Sequence, residues 1–190
     1  MSAPLPTSGA RLESPAWQEL EDVFATLGQL ARSTVAPPEF YRSLLDHAVR
    51  ALSAAGGVAW LRVGSGSMQP AAQIGRAATD IAQNDDARRA HEGLLLEAMS
   101  EVHVFSVAPH TVSEEHPEGA NLTDHLLVFA PIKAPGIAPT AEGQTNDGTT
   151  HAIIELWLQQ DTSPAMRRGC EQFLTAVSEL AADYHAFYEL

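Results

Sequence analysis

The stretch His151-Ala-Ile-Ile-Glu-Leu-Trp-Leu-Gln-Gln-Asp161 decides the fold. It is a nearly continuous apolar run of strand length, as expected of a strand buried in the middle of a sheet. Alternate residues of a strand face opposite sides, so Ile154, Leu156 and Leu158 share a purely apolar face while Ile153, Glu155 and Trp157 share a mixed one. Asp161-Thr162-Ser163-Pro164 then opens a helix, along which Met166, Cys170, Phe173, Val177, Leu180, Tyr184 and Phe187 recur at spacings of three and four.

A second strong strand, His125 to Lys133, precedes this ending, and a Gly-, Pro- and Thr-rich segment from Ala134 to Thr150 joins the two. Its residues offer little apolar area to offset the entropy of ordering, so the segment is expected to be mobile. Further upstream, Val102 to Val107 reads as a strand, and Pro109 to Thr123 as a polar surface loop with a helical turn. Asp85 to Glu101 reads as a helix with Leu94, Leu95 and Ala98 on one side. Val58 to Val63 and Met68 to Ile74 form a hairpin about Gly64-Ser65-Gly66-Ser67, the second strand interrupted by Pro70. Two amphipathic helices come first. One starts at Ser14-Pro15 and carries Trp17, Leu20, Phe24, Leu27 and Ala31; the other follows Pro37-Pro38 and ends at Gly56-Gly57.

A chain of 190 residues with 45% hydrophobic content suits one domain with a sizeable core. Residues 1–13 read as a flexible tail and 14–190 as a single domain. Eleven basic against 24 acidic residues give a formal charge of −13, which repels nucleic acid and anionic lipid surfaces. The single cysteine, Cys170, excludes an internal disulfide framework, and neither a signal peptide nor a run long enough to span a membrane is visible. The expected compartment is the cytoplasm.

The order helix, helix, hairpin, helix, three strands, long helix resembles that of a GAF domain, and the ending from His151 resembles the final strand and helix of that family. The likeness covers Phe40 to Tyr184. Two stretches, Asn121-Leu-Thr-Asp-His-Leu-Leu-Val-Phe-Ala-Pro-Ile-Lys133 and Arg167-Arg-Gly-Cys-Glu-Gln-Phe-Leu-Thr-Ala-Val-Ser-Glu-Leu-Ala-Ala-Asp-Tyr184, are similar to the GAF-like region at the N-terminus of certain bacterial HlyD-type secretion proteins. The resemblance implies an α/β architecture of the α+β kind, PAS-related: a central antiparallel sheet with the N- and C-terminal helices on one face and a shorter helix on the other. It implies no particular ligand or cofactor. The Asn-Lys-Phe-Asp-Glu signature of the cyclic-nucleotide-binding members is absent, and Cys170 has no neighbouring His of the kind that accompanies bilin attachment.

On that architecture the apolar set Ile154, Leu156 and Leu158, with Ala59, Leu61 and Val63 of the first strand, suits the terminal helices. The mixed set suits a pocket. Trp60, Arg62, Glu155 and Trp157 are therefore the candidate ligand residues, with aromatic walls for area and charged groups for orientation. The same residues equally fit a core with a cross-strand Arg62 to Glu155 ion pair. His110 and His116, with Glu114 and Glu115 between them, lack metal-ligand spacing, and no metal is expected. Gly64-Ser-Gly-Ser67 lacks the lysine of a phosphate loop, and no nucleophile elbow occurs, so no enzyme activity is expected.

The function expected is a non-catalytic sensory or regulatory domain that takes a small molecule and signals through its terminal helices to a region beyond Leu190. The alternative is a ligand-free dimerisation or partner-docking module of an HlyD-like secretion protein. A homodimer is expected on either reading, with Phe173, Val177, Leu180, Tyr184 and Phe187 as the interface, since coiled-coil packing buries positions at this spacing against a second helix.

Overall fold

A computed structural model describes residues 15–64, 66–75, 84–133 and 149–188. Two helices lead, α1 (Pro15–Ala31) and α2 (Pro37–Ala51), followed by a hairpin of β1 (Gly56–Val63) and β2 (Ser67–Ile74). Then come α3 (Asp85–Ser100), β3 (Phe105–Val107), a two-residue pair β4 (Thr111–Val112) and β5 (Ala120–Asn121), the long strands β6 (Leu126–Lys133) and β7 (Thr150–Leu158), and α4 (Pro164–Tyr188). Most of the stretch joining β6 to β7, expected to be mobile, lies outside the described residues, as does the tail 1–13.

Five strands form one antiparallel sheet in the order β2-β1-β7-β6-β3. The decisive stretch is thus the central strand, and every residue of β7 except His151 is buried. Pro70 does not interrupt β2. It sits on the edge strand opposite Trp60, where proline is tolerated, and β2 bulges beside it, with Ala71 as the extra residue between the Ala59–Ala72 and Trp60–Pro70 pairs.

The sheet's two faces separate as the alternation of β7 predicts. Ala59, Ile154, Leu156, Leu158, Val128 and Ala130 pack with Leu27, Phe40, Leu44, Leu45, Phe173, Leu174, Val177 and Tyr184 of the terminal helices. Val58, Leu127, Phe129, Ile153 and Trp157 pack with Leu94, Leu95 and Ala98 of α3. The terminal helices lock to one another through a buried hydrogen bond of 2.7 Å between the Tyr41 hydroxyl and His185 Nε2.

The regular seam of α4 therefore faces its own chain. Phe173, Val177 and Tyr184, expected at an interface with a second copy, are buried in this core, and Tyr184 is 0% exposed. A helix laid on a sheet buries residues at spacings of three and four just as a coiled coil does, so the pattern does not distinguish the two. Leu180 is half-buried, and only Phe187 of the five is exposed. Cys170 is also interior, and burial, followed by the nearby Glu171, pushes its thiol up to about 12. Such a thiol is not a nucleophile at neutral pH.

β3 is shorter than the expected strand. Val102 is exposed and Phe105 is the first residue to pair, so residues 101–104 lead into the sheet without joining it. The loop read as polar with a helical turn contains the β4–β5 pair in place of that turn, and α3 approaches it closely. A Cβ placed on Gly93 would lie 2.6 Å from the Gly119 Cα, so only glycine lets the helix and this loop meet.

Candidate functional site

Three of the four residues proposed from the sequence converge beneath α3. Glu155, fully buried in the central strand, accepts hydrogen bonds on both carboxylate oxygens: from Trp157 Nε1 at 2.6 Å on Oε1 and from Trp60 Nε1 at 2.8 Å on Oε2. The parity of β7 puts Trp157 on the same side as Glu155. Trp60 joins them because the β1–β7 register sets it opposite Ile153, which shares their face.

The fourth residue, Arg62, is elsewhere. The register places Val58, not Arg62, opposite Glu155, and four residues of strand separate the two by about 13 Å. The cross-strand ion pair does not form. Arg62 instead lines a cleft of about 600 Å³ at the end of β1, with Leu61, His151, His185 and Tyr188.

Glu155 pairs instead with His91 of α3, whose Nε2 lies 3.1 Å from Oε2. Its ring also stands 5.9 Å from that of Trp60 and 6.1 Å from that of Phe129. Sequence reading passed over His91, yet it lies one helical turn before Leu94 and Leu95, on the face that α3 presents to the sheet. Burial works against charge on both partners. Each nevertheless shifts toward its ionised form: the Glu155 carboxylate raises His91 above the ordinary histidine value, and His91 with the two indole N–H donors lowers Glu155 below the ordinary carboxyl value.

His91 also lines a cavity of about 360 Å³ between the start of α3 and the segment from His110 to His125. Asn84 caps α3 there, its Oδ1 accepting from the backbone N–H groups of Asp86 and Ala87 at 3.0 and 3.2 Å. Asn121 braces the opposite wall. Its side chain donates to the carbonyls of Val107, Ala108 and His125 and accepts from Thr123, fixing the turn into β6. At the rim His110 holds φ +54°, a left-handed conformation uncommon outside glycine, with its Nε2 2.8 Å from Asp124 Oδ1.

One imidazole nitrogen of a residue lining this cavity, His125 Nδ1, is buried without a hydrogen-bond partner among the described residues. Glu114 and Glu115 are exposed on the loop and His116 is half-buried. Among the described residues no group of three or more His, Cys, Asp or Glu is placed to hold a metal ion.

Solved structures share this fold. The GAF domain of A. aeolicus nlh2, in an inactive state, superposes with a TM-score of 0.61 over 90% of this chain and 98% of its own, at 12% identity. The chain has the GAF fold. A GAF domain of a sensor histidine kinase from Pseudomonas syringae matches with a TM-score of 0.50 and 11% identity over 90% of this chain and 85% of that one. The photosensory core module of the Stigmatella aurantiaca phytochrome matches at 0.53 and 11% identity, with 97% of this chain spanning 39% of that one. No protein-family model matches the sequence, and no curated protein does. In this GAF fold no helix among the described residues is long and apolar enough to cross a membrane.

Proposed function

We propose that this GAF-fold chain is a non-catalytic sensory or regulatory domain that holds a small molecule in the cavity between α3 and the His110 to His125 segment and passes the occupancy through its terminal helices to a downstream region. The observation that carries this reading is the buried His91–Glu155 pair, whose His91 lines the cavity. A desolvated ion pair is no better for packing than apolar residues of similar volume, and the surrounding face of Val58, Leu94, Phe129 and Ile153 would accommodate those readily. The cavity is also within the range of small-molecule sites, about 300 to 1,000 Å³. The solved neighbours include a domain of a sensor histidine kinase and a phytochrome module, which fits a sensory role in the cytoplasm. The alternative, a ligand-free docking or dimerisation module of an HlyD-like secretion protein, rests on the two sequence stretches alone.

Native mass spectrometry of the purified chain after incubation with a small-molecule extract tests the reading. The expected result is a small-mass addition that is lost when Ala87→Trp fills the cavity. No addition, or one that survives Ala87→Trp, overturns it. The same spectra report the oligomeric state. Of the five residues expected at a homodimer interface, Phe187 is exposed and Leu180 half-buried, and these two are the ones a second copy could reach. Phe187→Glu is therefore expected to shift a dimer toward monomer, and a monomer in the unmodified protein ends the dimer proposal.

A further inference from the structure

A bulge in β7 turns a histidine away from the side of the sheet that its parity assigns. The β6–β7 register steps from the Ile132–Ala152 pair to the Lys133–Thr150 pair, so His151 is the extra residue on β7. Odd-numbered residues of β7 otherwise face α3, as Ile153 and Trp157 do. Across the bulge the pattern shifts. Thr150 takes the α3 side, its hydroxyl donating to the Met99 carbonyl at 2.8 Å, and the His151 ring stands 4.9 Å from that of His185 on α4. Two imidazoles from separate elements thus line the cleft of about 600 Å³ that also receives Arg62.

The third basic group is a guanidinium, which is always charged. Arg62 is half-buried and has no hydrogen-bond or ion-pair partner among the described residues, whereas Arg50, Arg88 and Arg89 are each paired with an aspartate on their own helix. A chain of formal charge −13 repels anions over most of its surface. Against that background a guanidinium and two imidazoles share one concave site, and no described carboxylate lines it. Pro37, Leu61 and Tyr188 supply apolar wall. His185 is only 8% exposed, and its Nε2 is held 2.7 Å from the Tyr41 hydroxyl, so one wall of the cleft is fixed before anything enters.

We propose that this cleft binds a small organic acid, its carboxylate on the planar fork of Arg62 with His151 alongside, and its apolar body against Pro37, Leu61 and Tyr188. A guanidinium matches the two oxygens of a carboxylate bidentately. An imidazole carries at least one N–H whether neutral or charged, so the histidines can donate in either form. The site is independent of the cavity beside α3, with which it shares no lining residue. Because His185 is bonded to Tyr41, an occupant packed on it braces the joint between α2 and α4.

Phenylacetate, phenylacetamide and phenyl phosphate test the proposal on the intact chain, titrated by saturation-transfer NMR. Phenylacetate is expected to bind, phenylacetamide, of the same shape without the charge, to bind about tenfold more weakly or worse, and phenyl phosphate to bind no more tightly than phenylacetate. Arg62→Gln is expected to weaken phenylacetate by about tenfold or more, and Arg62→Lys, which keeps the charge but not the fork, to restore part of the loss. The acid-against-amide comparison needs no variant and holds whether or not the substitutions fold. No binding of phenylacetate at millimolar concentration, equal binding of the amide, or binding unchanged in a folded Arg62→Gln overturns the proposal. Tighter binding of phenyl phosphate overturns the carboxylate assignment. Binding lost in Ala87→Trp but kept in Arg62→Gln puts the acid in the α3 cavity, which overturns this site and leaves the small-molecule reading above standing.

Discussion

Tyr184 lies flat on Phe40, with ring centroids 3.8 Å apart and planes within 4° of parallel, and its hydroxyl donates to the Val35 carbonyl at 2.6 Å. One residue near the end of the last helix thus closes the joint between α1 and α2. Tyr184→Phe keeps the stack and removes the hydrogen bond, for an expected loss of about 1 kcal/mol of stability. Tyr184→Glu places a charge in that stack and is expected to unfold the terminal helices rather than release a folded monomer. Urea denaturation followed by circular dichroism measures both. Equal midpoints for Tyr184→Glu and the parent would mean that the residue is not interior.

The buried pair makes a second prediction. Removing one partner leaves the other charged in an apolar face, so His91→Leu or Glu155→Leu alone is expected to cost about 3 to 5 kcal/mol. The double variant His91→Leu with Glu155→Leu should recover part of that loss, because neither charge is then stranded, while the indole N–H groups of Trp60 and Trp157 still lose their acceptor. Additive losses in a double-mutant cycle would show the two side chains to be energetically independent.

The same pair makes stability depend on pH at both ends. His91 is raised above 6.5 in the folded chain, so its contribution is complete below its unfolded value and fades as pH rises through the folded one. Glu155 is lowered below 4.5, so its contribution is complete above that value and fades as pH falls through the folded one. A melting-temperature profile is expected to be highest from about pH 4.5 to 6.5 as far as this pair governs it, and to decline on the alkaline side. His91→Gln should flatten that alkaline decline. A variant profile parallel to the parent's would assign the decline to other groups.

Gly93→Ala sets two effects against each other. Alanine favours a helix interior over glycine by about 1 kcal/mol, but here its Cβ would lie 2.6 to 2.9 Å from the backbone of Gly119 and Glu118. Backbone cannot rotate out of the way as a side chain can. A lower melting temperature is therefore expected, together with weaker ligand binding as α3 and the β4–β5 loop move apart at the cavity. A stabilised variant would mean that the loop yields easily.

Much of this was legible in the sequence, and the limits are physical. The alternation in Ile153, Glu155 and Trp157 is a local property of a strand, so it identified the face that carries the buried carboxylate. The Arg62–Glu155 ion pair does not form because alternation gives a face but not a register; the β1–β7 pairing decides which residues meet. His91 was within reach, since it shares a helical face with Leu94 and Leu95, but its single polar side chain among weakly patterned neighbours gave no warning of burial. The seam from Phe173 to Tyr184 showed that α4 is covered without showing what covers it. The cavity could not be read at all, because it is made by the turn chemistry of Asn84 and Asn121 and by a glycine contact between segments distant in the chain.

The central position of β7 bears on how the chain is made. Trp60 and its acceptor Glu155 are 95 residues apart, and the sheet's two halves, β2-β1 and β6-β3, meet only through the strand between them. A ribosome that has released everything up to Lys133 has produced β1 and β6, each with an open hydrogen-bonding edge and an apolar face that α4 will later cover. Such edges are templates for pairing with other chains, and closure across so long a loop is slow. Translation arrest or truncation before Thr150 is thus a route to aggregation, whereas completed chains close both edges in a single step.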